Sequence, residues 1–491
     1  MKTKALPPYA PTLIESTRAI GYTLEAAIAD IVDNSISASA SCTDIFFFPI
    51  GDSYIAILDD GCGMDADALE TAMRYGSQSP NEERAANDLG RFGLGLKTAS
   101  LSQCRTLTVV SKQQNHIEAR CWDIDHVIKA HDWSLIILDS EQELNAIPKI
   151  DELRKLESGT LVVWQNLDRL QIGELDFKRS MGKKMDDVRI HLSLVFHRYI
   201  SGESGIKRMQ IRMNNVPVEA TDPFLSKHNT QIMSEEVLNV NGSKVVVKPY
   251  ILPHISDLTN EEIVALGGKE GLRKSQGFYI YRNKRLLIWG TWFRMMRQAE
   301  LSKLARVQID IPNELDSLWT LDIKKSIAMP PEEVRNNLDS VIERLAEFSK
   351  RTWAFRGKKE TRDSIIHVWQ RFKGKQGGAF YVINRDHPLV EVFDNSSPQE
   401  KRKLENLLKA IESELPLSSL YLDLTSDKPI ENETEVSPQT VDNLLQELLL
   451  QMQSDASRNE YLDRLAVSEP FSNFPQIIAK YKMGGTSLDR N

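Results

Sequence analysis

Apolar positions recur at helical spacing through residues 26–36, where Ala27, Ile28, Ile31, Val32 and Ile36 fall on one face. The pattern predicts a helix running to about residue 40 with one side buried. Asp30 and Asn34, four residues apart, point the same way one turn from each other. A carboxylate and an amide on the inward side of a helix are costly to bury without partners. Either they do chemistry there or the helix has a solvated polar edge; this stretch alone leaves both open. Strand-like runs follow at 43–50 and 54–58, joined by Gly51-Asp52-Ser53. A helix is expected over 66–75, an aperiodic polar loop over 76–88, and a glycine-rich turn entering a helix over 90–100. Strands are expected again at 106–111, 116–122, 134–138 and 158–164.

The arm at 8–22 either lies across its own domain or reaches a partner. Beyond residue 175 the pattern mixes helix and strand: a helix at 185–201, then strands at 208–213, 243–251, 277–288 (with a turn at 282–285) and 305–311. Pro330-Pro331 opens a helix well and predicts one to about residue 356. Helices at 360–372, 398–414 and 438–453, with short strands at 379–383 and 420–424, complete the chain.

A length of 491 residues exceeds one compact core and predicts two or three domains. The content, 41% hydrophobic and 26% charged, is that of a soluble globular protein. A net charge of −8 gives no general nucleic-acid footprint, so any such binding needs a local patch. Cys42, Cys62, Cys104 and Cys121 form no CxxC pair, which excludes an evident zinc or disulfide framework and fits a reducing cytoplasm. No signal-peptide core and no membrane-length apolar run is expected.

Candidate chemistry concentrates in the first third. Asp59-Asp60-Gly61-Cys62-Gly63-Met64 ends a strand; its two glycines permit close backbone approach, and an acid there can accept from a planar donor such as an adenine amino group. A tight turn with a solvated acid pair is the competing reading. Gly90, Gly93, Leu94, Gly95 and Lys97 lie in a glycine-rich turn running into a helix, an arrangement that cradles phosphates, though the spacing is not that of a P-loop. Thr160 enters a short apolar strand, where its hydroxyl joins a network around a base or merely edges the sheet. Residues 273–297 interleave cations with Phe278, Tyr279, Tyr281, Trp289, Trp292 and Phe293, which is either a nucleic-acid surface or a core with a solvated basic face. No catalytic constellation stands out after residue 357.

Taken in order, these four segments resemble the GHKL ATPase superfamily, which includes gyrase B subunits, the heat-shock chaperones with this ATP fold, histidine kinases and MutL. The likeness is greatest to MORC-type and MutL-like ATPases, on Ala29-Asp30-Ile31-Val32-Asp33-Asn34-Ser35, Asp59-Asp60-Gly61-Cys62-Gly63-Met64 and Gly93-Leu94-Gly95-Leu96-Lys97. The resemblance implies an α+β chain: a GHKL (Bergerat) α/β sandwich over 1–172, an α/β transducer over 173–350 and a mostly helical region over 351–491. It implies ATP and Mg²⁺ as ligands, with Asn34 holding the metal and Asp59 meeting the adenine amino group. Gly61, Gly63 and Met64 would shape the base pocket, Thr160 would support its water network, and the loop 76–95 would be a lid. Gly90, Gly93, Leu94, Gly95 and Lys97 would surround the phosphates. Lys325, with Lys324 as the alternative, would reach the γ-phosphate from the second domain. Asp30 stands where the family usually has a catalytic glutamate. Its carboxylate is one methylene shorter, about 1.5 Å, and misplacement of about 1 Å can cost on the order of a hundredfold in rate. Slow turnover follows from that departure. The resemblance also implies ATP-linked homodimerisation, with the arm at 8–22 as a candidate swapped segment. It suggests DNA as a candidate partner in restriction, repair or anti-phage defence, alongside partner proteins of such a system. A nucleotide-gated switch with little turnover and a chaperone-type ATPase are the alternatives.

Overall fold

The computed structural model describes residues 3, 6, 8–19, 21–76, 95–228, 230–253, 257–259, 262–263, 266, 268–298, 302–316, 319, 330–354, 365–373, 379–417, 419–420, 437–450 and 455–483. The chain divides into two compact units, Met1–Arg356 and Gly357–Asn491. In the first, the path runs α1 (Ala10–Arg18), α2 (Leu24–Ser37), β1 (Cys42–Phe48), β2 (Tyr54–Asp59), α3 (Ala66–Met73), α4 (Gly95–Leu101), β3 (Thr106–Gln113) and β4 (His116–Asp123). It continues through α5 (Ile124–Ala130), β5 (Ile136–Ile137), α6 (Glu141–Asn145), α7 (Ile150–Lys155), β6 (Gly159–Gln165) and α8 (Asp168–Gln171). The stretch ends with α9 (Phe177–Val195), α10 (His197–Ser201), β7 (Gln210–Met213) and β8 (Val216–Pro217).

These strands make one sheet in the order β5-β4-β3-β6-β2-β1-β7-β8, antiparallel except where β7 runs parallel to β1. Strand alternation sends apolar side chains to both faces. Ile55 and Ile57 of β2 face the layer of α1, α2, α4 and α9, while Ala56 and Leu58 face Leu144, Ile150 and Leu153 of α6 and α7. Burial on both sides explains why β2 reads as a continuous apolar run rather than an alternating one. The arm at 8–22 lies on its own domain: Ile14 is fully buried, and Arg18 donates to Leu101 O and to Asp168 Oδ1 at 2.6 Å.

A second sheet follows, built from β9 (Gln231–Ile232), β10 (Glu236–Val240), β11 (Ser243–Ile251), β12 (Gly277–Arg282), β13 (Arg285–Thr291) and β14 (Ala305–Ile311), with α11 (Gly268–Lys274) before β12. Its order is β10-β11-β14-β12-β13, with β9 on β11. The long α12 (Glu332–Ala354) seats Val334, Leu338, Val341 and Leu345 against it.

The second unit has a two-stranded hairpin, Trp369–Lys373 with Ala379–Ile383, and helices at Pro398–Ser413, Pro438–Leu450, Asp455–Ala466 and Pro475–Met483. Val441, Leu445, Leu462, Leu465 and Phe471 form its core. The helix expected over 360–372 is corrected at its C-terminal end, where Trp369–Lys373 is a strand. Phe372 sits opposite Phe380 with ring centroids 5.5 Å apart, and such aromatic cross-strand pairs stabilise a hairpin. The strand expected at 420–424 starts in helical backbone at Leu420, and its remainder lies outside the described residues. Among the described residues no helix is long and apolar enough to cross a membrane.

Candidate functional site

The site is built on α2. Thr23 caps the helix by accepting from Ala26 N–H, which fixes where it starts and therefore which way its polar residues point. Asp30 is buried at 5% exposure, and the Tyr22 hydroxyl donates to its Oδ2 at 3.0 Å. Gly95, at the start of α4, lies against the same carboxylate. Asn34, one turn on, is exposed. The solvated-edge reading fails at Asp30 and holds for Asn34, so α2 presents a shielded acid beside an open amide.

Ser35 carries the helix to the next group. Its hydroxyl donates to Asp59 Oδ2 at 3.0 Å. Asp59 ends β2 at 7% exposure, and its Oδ1 accepts from Gly61 N at 2.9 Å and Thr160 N at 3.3 Å. Burial pushes the Asp59 carboxyl above its ordinary value, while the hydrogen bonds from Gly61, Ser35 and Thr160 pull the other way. Thr160 Oγ1 lies 3.0 Å from Ser111 Oγ, and Ser111 Oγ also accepts from Met64 N at 2.8 Å. Asp59, Gly61, Met64 and Thr160 thus meet in one polar network linking β2, β3 and β6. The two glycines are there for space. A Cβ on Gly61 would stand 2.7 Å from the Ala38 Cβ, and one on Gly63 would stand 2.1 Å from Lys112 O at a φ of +67°.

Lys97 faces inward. At 1% exposure its Nζ donates to Ala72 O at 2.8 Å, in the last turn of α3, and burial pushes its pKa down to about 8. Gly90, Gly93, Leu94, Lys324 and Lys325 lie outside the described residues, as does the loop from 77 to 94.

Sequence patterning missed four participants. Ser35 and Ser111 gave no signal beyond being hydroxyls, and Tyr22 belonged to the arm. The fourth is Arg285, whose Nε donates to Asp33 Oδ1 at 3.2 Å, both groups being buried. Burial bears on the basic-aromatic stretch at 273–297. Phe278, Tyr279, Tyr281 and Trp292 are core, Arg282 pairs with Asp316, and Arg285 pairs with Asp33. Those four rings offer no stacking surface to a nucleic acid, which corrects that reading.

Residues 22–160 match the family model described as "Histidine kinase-, DNA gyrase B-, and HSP90-like ATPase". No curated protein shows significant similarity to the chain. Among solved structures, the N-terminal domain of a DNA repair protein is 17% identical, with 70% of this chain and 100% of that one covered, at a TM-score of 0.43. The matched segment spans α2, the Asp59 network, α4 and the start of β6, the elements that assemble the site. Residues 22–160 therefore form a GHKL-type ATPase domain, of the histidine kinase-, gyrase B- and HSP90-like family.

Proposed function

We propose that this chain binds ATP with Mg²⁺ at the α2 site and hydrolyses it to ADP and phosphate. The observation that supports this best is that one helix delivers three groups. α2 carries buried Asp30 and exposed Asn34 one turn apart, and its Ser35 bonds the Asp59 carboxylate. The Asp59 carboxylate accepts the adenine amino group, with Gly61 and Gly63 letting the base approach and Thr160, Ser111 and Met64 completing the pocket. Asp30 holds a water and takes its proton as the water attacks the γ-phosphoryl group. Gly95 keeps the space beside Asp30 free of a side chain. Lys97, in the first turn of α4, contributes positive charge toward the phosphates from its seat on Ala72 O.

The Asn34 carbonyl oxygen suits a hard cation. Among the described residues no group of three or more His, Cys, Asp or Glu side chains stands ready to hold a metal, so Mg²⁺ would take Asn34 together with water and phosphate oxygens. Once bound, the cation offsets phosphate charge. Lys325, or Lys324, is proposed as the γ-phosphate contact from the motif resemblance alone. ATP-linked homodimerisation and action on DNA are proposed from the motif resemblance.

Phosphate release from ATP and Mg²⁺, with and without duplex DNA, tests the reading. Asp30→Ala should lower turnover by about a hundredfold or more while ATP still binds, since a positioned base contributes roughly 10²–10⁴. Asn34→Ala should remove the Mg²⁺ dependence of binding. Stimulation by DNA would support the DNA-linked setting. A second reading has its own support. Asp30 is short for its task, and the Tyr22 hydroxyl already donates to one of its oxygens. ATP binding with negligible phosphate release would establish a nucleotide-gated switch instead.

A further inference from the structure

The Asp33–Arg285 pair joins residues 252 positions apart, from α2 and from the first residue of β13. Asp33 is 1% exposed and Arg285 5%. Aromatic rings line the junction: the Arg285 guanidinium lies over the Phe196 ring, and Trp289 of β13 packs on His191 of α9 with centroids 5.7 Å apart. His191 is held neutral, since burial and then the Arg285 charge push its pKa down to about 4. An ion pair in such surroundings gains little stability over apolar side chains of the same volume. What it supplies is one defined geometry.

That geometry bears on the nucleotide wall. Asp33 is three residues from Asp30 and adjacent to Asn34, on a helix too short to bend between them. A shift of the α2 backbone at Asp33 therefore moves both groups. Nearby contact is sparse: a cavity of about 660 Å³, lined by Ile36, Ser37, Tyr199, Asn283 and Lys284 among others, separates the C-terminal half of α2 from the β12–β13 turn. Among the described residues, the Asp33–Arg285 pair ties α2 to the second sheet beside this cavity.

We propose that Arg285 is a positioning residue for the nucleotide site, acting through Asp33 to fix the register of α2 and to link ATP binding to the β12–β13 hairpin. This rests on the nucleotide reading of α2. A coupling between two sites is commonly worth a factor of roughly 5–150. In the full chain, ATP with Mg²⁺ should slow amide exchange in residues 277–291 by about fivefold or more. In Arg285→Met the slowing should fall below about twofold, while protection of residues 59–63 persists and ATP affinity changes little. Turnover should then fall about tenfold or more at nearly unchanged KM, as displacement of a reacting group requires. Arg285→Lys should restore much of both.

Asp33→Asn/Arg285→Met removes both charges of the pair together, so it keeps the test open if the single variant does not fold. Its coupling should be no worse than that of the worse single variant, because the two act as one unit. Folded Arg285→Met with full coupling, or single effects that simply add, would overturn the proposal. So would wild-type protection at 59–63 without any at 277–291, with the nucleotide reading intact. Absence of ATP protection at 59–63 in the wild type would instead remove the nucleotide reading, and this proposal with it.

Discussion

At the scale of single residues, two ionisable groups of the site are displaced in ways that act on ligand affinity. Burial raises the Asp59 carboxyl, and burial lowers Lys97 to about 8. An adenine amino group needs Asp59 ionised. ATP affinity should therefore fall as pH drops through the raised Asp59 value, starting above the range of an ordinary carboxylate. A phosphate favours charged Lys97, so its pKa rises in the complex. Affinity should then be full below about pH 8 and decline as pH rises past it. Calorimetric titration from acid to alkaline pH should trace both limbs. Asp59→Asn should abolish the acid limb and weaken binding by roughly tenfold or more, the worth of a hydrogen bond to a charged group. Lys97→Met should abolish the alkaline limb; an alkaline limb unchanged in that variant would confine Lys97 to capping α3. Asp30, Asn34 and Asp59 were legible in the sequence because their spacing and neighbours restrict them. Ser35 and Ser111 were not, because a hydroxyl shows its role only through the partner that folding brings to it.

At the scale of elements, helical and strand periods located α2, β2, β3 and β4 to within a few residues, since each buries a regular face in one layered core. Periodicity was weaker where tertiary partners decide. Trp369–Lys373 carries a pattern that tolerates a helix, and only its pairing with Ala379–Ile383 makes it a strand. The interleaved cations and aromatics at 273–297 had two readings, and burial chose the core. The turn between β2 and α3 permits a sharper test. Gly63 has a φ of +67° and backbone at 2.1 Å from where a Cβ would stand. Relief requires Lys112 of β3 to move, and β3 carries Ser111, which bonds both Thr160 and Met64. Gly63→Ala should lower the thermal midpoint and weaken ATP binding together. A matched Gly51→Ala control, also at positive φ but with no atom within 4 Å, should cost only its backbone strain and leave ATP binding alone. Equal losses of ATP binding in both variants would refute the steric argument.

At the scale of the molecule, the chain joins the candidate site on α2 to a second sheet within its first unit, through α9, α10 and the Asp33–Arg285 pair. Contacts that span so much sequence have no local signature, which is why two sheets could be expected from periodicity but not the grip between them. The arm at 8–22 shows the same limit. Its mixed pattern left open whether it stays at home, and the fold places it there: Ile14 is buried, the Trp133 indole N–H donates to Pro8 O, and the Tyr9 hydroxyl lies 2.9 Å from His131 Nδ1. A dimer formed on ATP thus need not exchange this arm, and if it forms it should form without unfolding α1. Light scattering should show one chain per particle without nucleotide and two with Mg²⁺ and a non-hydrolysable ATP analogue. Tyr9→Phe, which removes only the hydroxyl's hydrogen bond to His131, should leave that transition in place if the arm is a passive strap. A swapped arm would instead make dimerisation sensitive to Tyr9→Phe. A single chain per particle under every condition would end the dimer proposal, and the calorimetric titration would then decide on nucleotide binding at α2 separately.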